Sequence, residues 1–284
     1  MKPRITTRMV SQRLAFALLG FSAFLVVVPM IYIILHILLS GAGAISWEFL
    51  TEAPRQRGLE GGIFPAILGT FYLMIGTIIF ALPVGVLAAI YLTEYARQNW
   101  LTRLINLSIV NLAGVPSIVY GLFGLGFFVL TLRLGNSLLA ASLTLGCQAL
   151  SLMITASREA LLTVPQSYRE GSLALGTTRW QTIWHVILPQ ARSGIITGAV
   201  LALGRAAGET APILVVGAAF LLPHLPQSPF DQFMALAYHL YAVATQIPGM
   251  PQQTMWGVAL VLLGVVLSFN SIAIVLRLKA RQER

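Results

Sequence analysis

Five long stretches of the chain contain no Asp, Glu, Lys or Arg: Leu14–Trp47, Gly61–Thr93, Leu104–Leu132, Leu134–Ser157 and Gln232–Leu276. A helix needs about 20 mostly apolar residues to cross a bilayer. Backbone polar groups find no water inside lipid, so a spanning segment must pair them internally, which favours helices. A further apolar stretch, 194–219, is interrupted by Arg205 and Glu209. The reading is an all-α integral membrane protein with six transmembrane helices, at about 14–39, 66–93, 106–131, 138–157, 194–219 and 255–276. One transmembrane domain then occupies 14–276, between cytoplasmic ends at 1–13 and 277–284. Only 10% of the 284 residues are charged and the mean hydropathy is +0.83. An ordinary soluble domain is about a quarter charged. Composition therefore excludes a conventional soluble enzyme, a disordered chain and a coiled coil. The single cysteine, Cys147, excludes an internal disulfide and a thiolate metal cage.

Lys and Arg number 18 against nine acidic residues, a net charge of +9. With the N-terminus in the cytoplasm, 14 of the 18 fall on that side; only Arg55, Arg57 and Arg133 lie outside, and Arg205 lies within the membrane. The positive-inside rule selects this orientation, with both termini cytoplasmic. The excess charge sets topology and gives no basic face for nucleic acid; Lys2 and Arg284 belong to its two ends. The first apolar stretch follows a basic start, as a signal peptide does. It is about twice the 7–15 residues of a signal core, so an uncleaved helix is expected. Outer segments fall at 40–65 and 220–254, and the run Phe230–Thr245 reads as a short interfacial helix.

The inner loop at 158–193 carries signals for two short helices. Pro165 suits a first helical position, and Ser167-x-x-Glu170 a capping box. Gly176 suits a left-handed terminal position, and Thr178 with Gln181 a second start. Pro189 closes the second piece. Helix, tight turn and helix would lie on the inner membrane face.

The run Glu170-Gly171-Ser172-Leu173-Ala174-Leu175-Gly176, followed by Val186-Ile187-Leu188-Pro189, resembles the EAA loop of ABC importer permeases. Glu170, Gly176, Leu188 and Pro189 match in register; Gly171 and Ser172 replace two alanines, and Val186 replaces isoleucine. Three further stretches resemble the PstA-type permeases of phosphate importers: GGIFPAILGT at 61–70, LAGVPSIVYGLFG at 112–124 and GRAAGETAP at 204–212. The resemblance implies a type I importer permease (MetI-like) architecture in the bacterial inner membrane. The 158–193 loop would form a coupling helix between the fourth and fifth spans. It implies as partners a second, PstC-type permease, a PstB-type ATPase dimer and an external PstS-type phosphate-binding protein, besides membrane lipid. ATP and Mg would be bound by the ATPase and no cofactor by this chain, which lacks a G-x-x-x-x-G-K-[ST] motif. It also implies no catalytic residue here. Tyr168, Arg169, Glu170, Gly171, Ser172, Gly176, Arg179, Trp180, Leu188 and Pro189 would couple the loop to the ATPase.

Arg205 lies 11 residues past Gly194, about 16 Å into the bilayer at 1.5 Å per residue. A charge there costs roughly 2.5–3.5 kcal/mol even on a lenient scale. Such a residue is expected to face the protein interior or a water-filled path and to have a partner. Glu209, four residues on, shares its helix face. Pro212 would crowd the carbonyl of Gly208 and open the helix there. These features suggest a polar cavity through which an oxyanion passes, with the guanidinium as its fork of donors. A buried ion pair that locks helices is the plainer reading of the same residues. Arg205, Glu209, Thr210 and Ser117 are the candidate path residues; Pro116 near Ser117 would free the carbonyl of Leu112. The four histidines, His36, His185, His224 and His239, are scattered, so no metal site is expected. Two alternatives stay open: an ABC permease for molybdate or sulfate, and a carrier that needs no ATPase.

Overall fold

The computed structural model describes residues 4–282; Lys2 and Arg284, two of the charges used for orientation, lie outside this range. The chain opens with α1, Arg4–Gly41. A short α2, Trp47–Thr51, is capped by the Ser46 hydroxyl. A two-residue hairpin follows, β1 Pro54–Arg55 antiparallel to β2 Glu60–Gly61. Next come α3, Phe64–Ile90, α4, Trp100–Ala113, α5, Ser117–Gly124, and α6, Leu138–Leu162. The inner loop forms α7, Gln166–Ala174, and α8, Arg179–Thr182. The rest is α9, Leu188–Ala207, α10, Ala211–Val216, α11, Leu236–Thr245, and α12, Gln252–Gln282.

Among the described residues five helical stretches are long and apolar enough to cross a membrane, or six if a bent pair counts as one. The bent pair falls where a straight span at 106–131 was expected. α4 and α5, the latter prolonged by a π-helical stretch to Thr131, meet at 105°. Pro116 has no N–H to continue the ladder, and it pushes Val115 out of helical geometry. The carbonyl of Leu112, freed by this break, accepts a 2.9 Å hydrogen bond from the Tyr120 hydroxyl. The corner is therefore satisfied without water.

The stretch at 194–219 is also divided. α9 stops at Ala207 and α10 starts at Ala211, with Gly208, Glu209 and Thr210 between them. The expected opening near Pro212 is a complete break. The expected interfacial helix at 230–245 is shorter, Leu236–Thr245; ahead of it Asp231 accepts from the backbone N–H groups of Gln227 and Ser228.

α3 and α6 form the centre, with α9 packed beside them. Gly85 of α3 lies so close to Met153 of α6 that a Cβ would collide with it. Lipid tails are as apolar as leucine, so close packing of small residues replaces the hydrophobic drive of a soluble core. For the same reason α1 needs no apolar cover. Leu14, Phe16, Leu25 and Leu39 are exposed. α1 meets the rest of the chain at α12, where the His36 ring sits edge-on to Trp256 at 4.8 Å.

Candidate functional site

Two regions carry polar chemistry. The first is the inner loop. α6 runs on to Leu162, so Arg158 is a helical residue and donates to Asn106 of α4 at 2.9 Å. Pro165 precedes α7 instead of opening it, and the expected Ser167–Glu170 capping box does not form. Gly176 takes φ +83°, the left-handed geometry expected of it. Thr178 and Gln181 close a reciprocal capping box at the start of α8.

Pro189 does not end the second helix. The helix is continuous from Arg179 to Ala207 and passes through a π-helical stretch, Ile183–Ile187, just before the proline. The wider π turn makes room for the proline ring, which in α geometry would press on the carbonyl four residues back. The loop is thus continuous with α9 through a single helical stretch.

Arg169, expected among the docking contacts, is mostly buried in this chain. Its guanidinium turns inward, to the Glu94 carboxylate at 3.1 Å and the carbonyls of Val164 and Leu161 at 2.5 and 2.8 Å. Arg169 and Glu94 are each only 14% exposed. They fasten the loop to the inner end of α3. The Ser172, Thr177 and Thr182 hydroxyls form a triangle of hydrogen bonds, 2.8–3.0 Å, that braces α7 against α8. Ser172 is therefore structural as well. The outward surface belongs to Tyr168, Glu170, Gly171, Leu175, Arg179 and Trp180. Leu175, beside the turn, is 86% exposed. Trp184, which sequence reasoning passed over, stands edge-on to Trp180 at 5.4 Å and extends this surface. Leu188 is half-buried and Pro189 exposed. Behind the surface lies a cavity of about 490 Å³ lined by Glu94, Arg169, Arg179 and Ile183 among others.

The second region is the break between α9 and α10. Arg205 sits in the last turn of α9, where backbone carbonyls favour a cation. Glu209 lies just ahead of α10, where free N–H groups favour an anion. The helix ends thus support the pair, and Arg205 Nε lies 3.4 Å from Glu209 Oε1. Across the cleft, Gln148 of α6 donates from Nε2 to the same Oε1 at 2.7 Å. Its own Oε1 is buried and has no hydrogen-bond partner. The cleft, lined by Gln148, Leu152, Ala202, Arg205 and Glu209, holds only about 10 Å³. That is the space of roughly one water.

Of the two expectations for Arg205, the protein interior or a water-filled path, the first is corrected for this chain. Its side chain is 58% exposed, whereas Glu209 is 16% exposed. The guanidinium stands on the open face of the chain, with Glu209 and Gln148 behind it. A midplane charge on an outer face needs a polar neighbour from outside the chain, because lipid cannot solvate it. α5 packs on α10 so closely that Gly121 has no room for a side chain over Pro212. This brings the bend at Pro116 and the break at Glu209 into one unit. Ser117 opens α5, but no hydrogen bond joins it to Arg205 or Glu209 among the described residues, and the Thr210 hydroxyl makes none there. Gln148 left no signal in the sequence; one amide within an apolar helix looks like many others. No cluster of three or more metal-ligating side chains occurs among the described residues.

The profile of the family described as "Binding-protein-dependent transport system inner membrane component" matches residues 81–282. The phosphate transport system permease protein PstA 1 of Mycobacterium tuberculosis is 31% identical over 273 residues, 93% of this chain and 88% of its own length. A chain of the bacterial alginate ABC transporter, solved with an alginate-bound periplasmic protein, superposes with a TM-score of 0.64 at 13% identity, covering 98% of this chain and 96% of its own. The inward-facing MetNI methionine ABC transporter gives 0.58 at 20% identity, over 77% of this chain and 94% of its own. The last two speak for the fold, a MetI-type importer permease with five to six candidate spans.

Proposed function

The chain belongs to the binding-protein-dependent transport system inner membrane components, and from that membership we propose that it is the phosphate-conducting permease subunit of an ATP-driven importer. The observation that carries the proposal is the exposed guanidinium of Arg205, held at a helix break by Glu209 on the open face of an apolar chain. A cation so placed suits an anionic substrate that passes between this chain and a second permease. Similarity to a phosphate permease over 93% of the chain supports phosphate as that anion.

The complete importer would pair this chain with a related permease, set two ATPase subunits under the α7–α8 loop, and receive phosphate from an external binding protein. Both termini would be cytoplasmic. ATP and its magnesium would be held by the ATPase subunits, and this chain would bind no cofactor and catalyse no reaction. ATP binding would draw the ATPase pair together and displace the exposed Leu175–Trp180 surface. The continuous helix from Arg179 to Ala207 carries that displacement to the break beside Arg205. The face around Arg205 would then open outward and take the anion. Glu209 holds the guanidinium when no anion is present and competes with it when one is. The site therefore releases as well as binds, as conduction requires.

The test is ATP-dependent phosphate uptake by the assembled importer in proteoliposomes. Uptake that requires ATP and resists excess sulfate and molybdate supports the proposal. Uptake without the ATPase subunits, or preferential uptake of another oxyanion, refutes it.

A further inference from the structure

Behind the exposed guanidinium lie three oxygen positions of different standing. Glu209 Oε1 is occupied, by Gln148 Nε2 at 2.7 Å and Arg205 Nε at 3.4 Å. Glu209 Oε2 has no hydrogen bond among the described residues. Gln148 Oε1 is buried without a partner. The amide orientation follows from the carboxylate, since turning it over would set two oxygens against each other. Gln148 therefore fixes the Glu209 carboxylate and leaves a second acceptor beside it. A buried acceptor without a partner is uncommon and calls for a donor. Among the described residues none is supplied.

For Gln148 Oε1 the cleft has room for one water; for Glu209 Oε2 the donor consistent with an anion path is the anion itself. At neutral pH phosphate and arsenate carry at least one O–H, and sulfate carries none. An oxyanion that lays its charged oxygens on Arg205 can turn a protonated oxygen toward Glu209 Oε2. Such an O–H to carboxylate bond is charge-assisted and short. Sulfate in the same place faces the carboxylate with lone pairs only. A site that hydrogen-bonds a substrate O–H rejects the analogue lacking it more strongly than an apolar pocket rejects a change of size.

On the phosphate reading above, the geometry points to Gln148 as a specificity-determining residue of the path: it holds Glu209 as a fixed acceptor and so makes the path select a protonated oxyanion. The 10 Å³ cleft admits no whole phosphate. The anion therefore rests against the exposed side of Arg205 and only its hydroxyl reaches Glu209 Oε2.

The test is equilibrium binding of radiolabelled phosphate, arsenate and sulfate to the permease–ATPase complex in lipid nanodiscs. The external binding protein is withheld, so its own selectivity does not enter. Sulfate is expected to bind the wild-type complex at least ~10-fold more weakly than phosphate, with arsenate close to phosphate. Gln148→Met should reduce the phosphate-to-sulfate ratio to within about threefold. Glu209→Gln, which keeps the shape but turns an acceptor into a donor, should do the same. Size-exclusion profiles and co-purification of the ATPase subunits verify that both variants assemble. Equal binding of sulfate and phosphate by the wild-type complex overturns the inference, as does an unchanged ratio in both assembled variants. Phosphate uptake by the complete wild-type importer, measured in parallel, separates the two readings. If uptake proceeds while the ratio fails to respond, only the role of Gln148 falls. If uptake is absent, the phosphate reading falls and this inference with it.

Discussion

The Arg169 guanidinium lies 3.1 Å from the Glu94 carboxylate, across 75 residues of sequence. It ties the inner loop to the inner end of α3, while two carbonyls, of Val164 and Leu161, accept two further hydrogen bonds from it. This side chain thus helps to set where the exposed loop surface stands relative to the membrane helices, together with the packing of Ile183 and Ile187 on Ala89 and Leu161.

Removing the carboxylate should loosen that attachment. Glu94→Ala leaves a mostly buried guanidinium with carbonyl partners alone, at a cost of about 2 kcal/mol. The expected result is a lower melting temperature of the purified complex and faster proteolysis within 163–178. Arg169→Lys should not restore it, because an ammonium cannot reach a carboxylate and two carbonyls in the same planar arrangement. Wild-type melting in both variants would contradict the structural role.

The outward loop surface should behave oppositely. Leu175 is 86% exposed and supports little of the fold. Leu175→Ser should change stability by less than about 0.5 kcal/mol. Trp180→Ala should weaken ATPase association by ~2 kcal/mol, as expected for an aromatic anchor at an interface. Co-purification of the ATPase and substrate-stimulated ATP hydrolysis measure this; full stimulation in both variants would remove the surface from coupling.

Arg205→Gln should cut phosphate uptake by about 100-fold or more in complexes that still assemble, since it removes the charge that meets the anion. Arg205→Lys keeps the charge but loses the fork, and should retain a minor fraction of activity. Uptake at the wild-type rate by Arg205→Gln would reduce the pair with Glu209 to a helix lock.

His239, on α11 outside the candidate spans, has its pKa lowered from 6.5 to about 4. Burial is the main cause, and a hydrogen bond with the Phe220 backbone opposes it. Its Nδ1 is buried without a partner. The folded state holds the neutral ring, while the unfolded chain takes up a proton below about pH 6.5. Stability from this group is therefore complete above that pH and declines as the pH falls toward 4. The loss reaches ~3 kcal/mol. Thermal melts at pH 7 and pH 5 should differ in the wild type and differ less in His239→Gln. Parallel melts of the two proteins across this range would refute the assignment.

Much of this molecule was legible in one dimension. Charge-free runs long enough to span lipid reveal a membrane protein, because no soluble fold tolerates them. The turn at Gly176 and the cap at Thr178 were readable, because both depend on the conformational preference of a few adjacent residues. The weak point at Pro212 was readable for the same reason. The nearness of Arg205 and Glu209 was readable from a spacing of four, but α9 ends at Ala207, so the turn after the helix and not a shared helix face brings them together.

Other features depend on how distant segments pack. Pro189 reads as a helix end, yet the π turn at Ile183–Ile187 carries the helix past it, held by the packing of Ile183 and Ile187 against Ala89 and Leu161. Arg169 reads as a surface charge on an amphipathic loop, and only the approach of α3 gives it Glu94. Gln148 and Glu209 are 61 residues apart and meet because α6 packs beside α9. Local preference acts over a few residues. The partner of a buried polar group is fixed by which helix faces come together, and a linear pattern of apolar residues leaves that open.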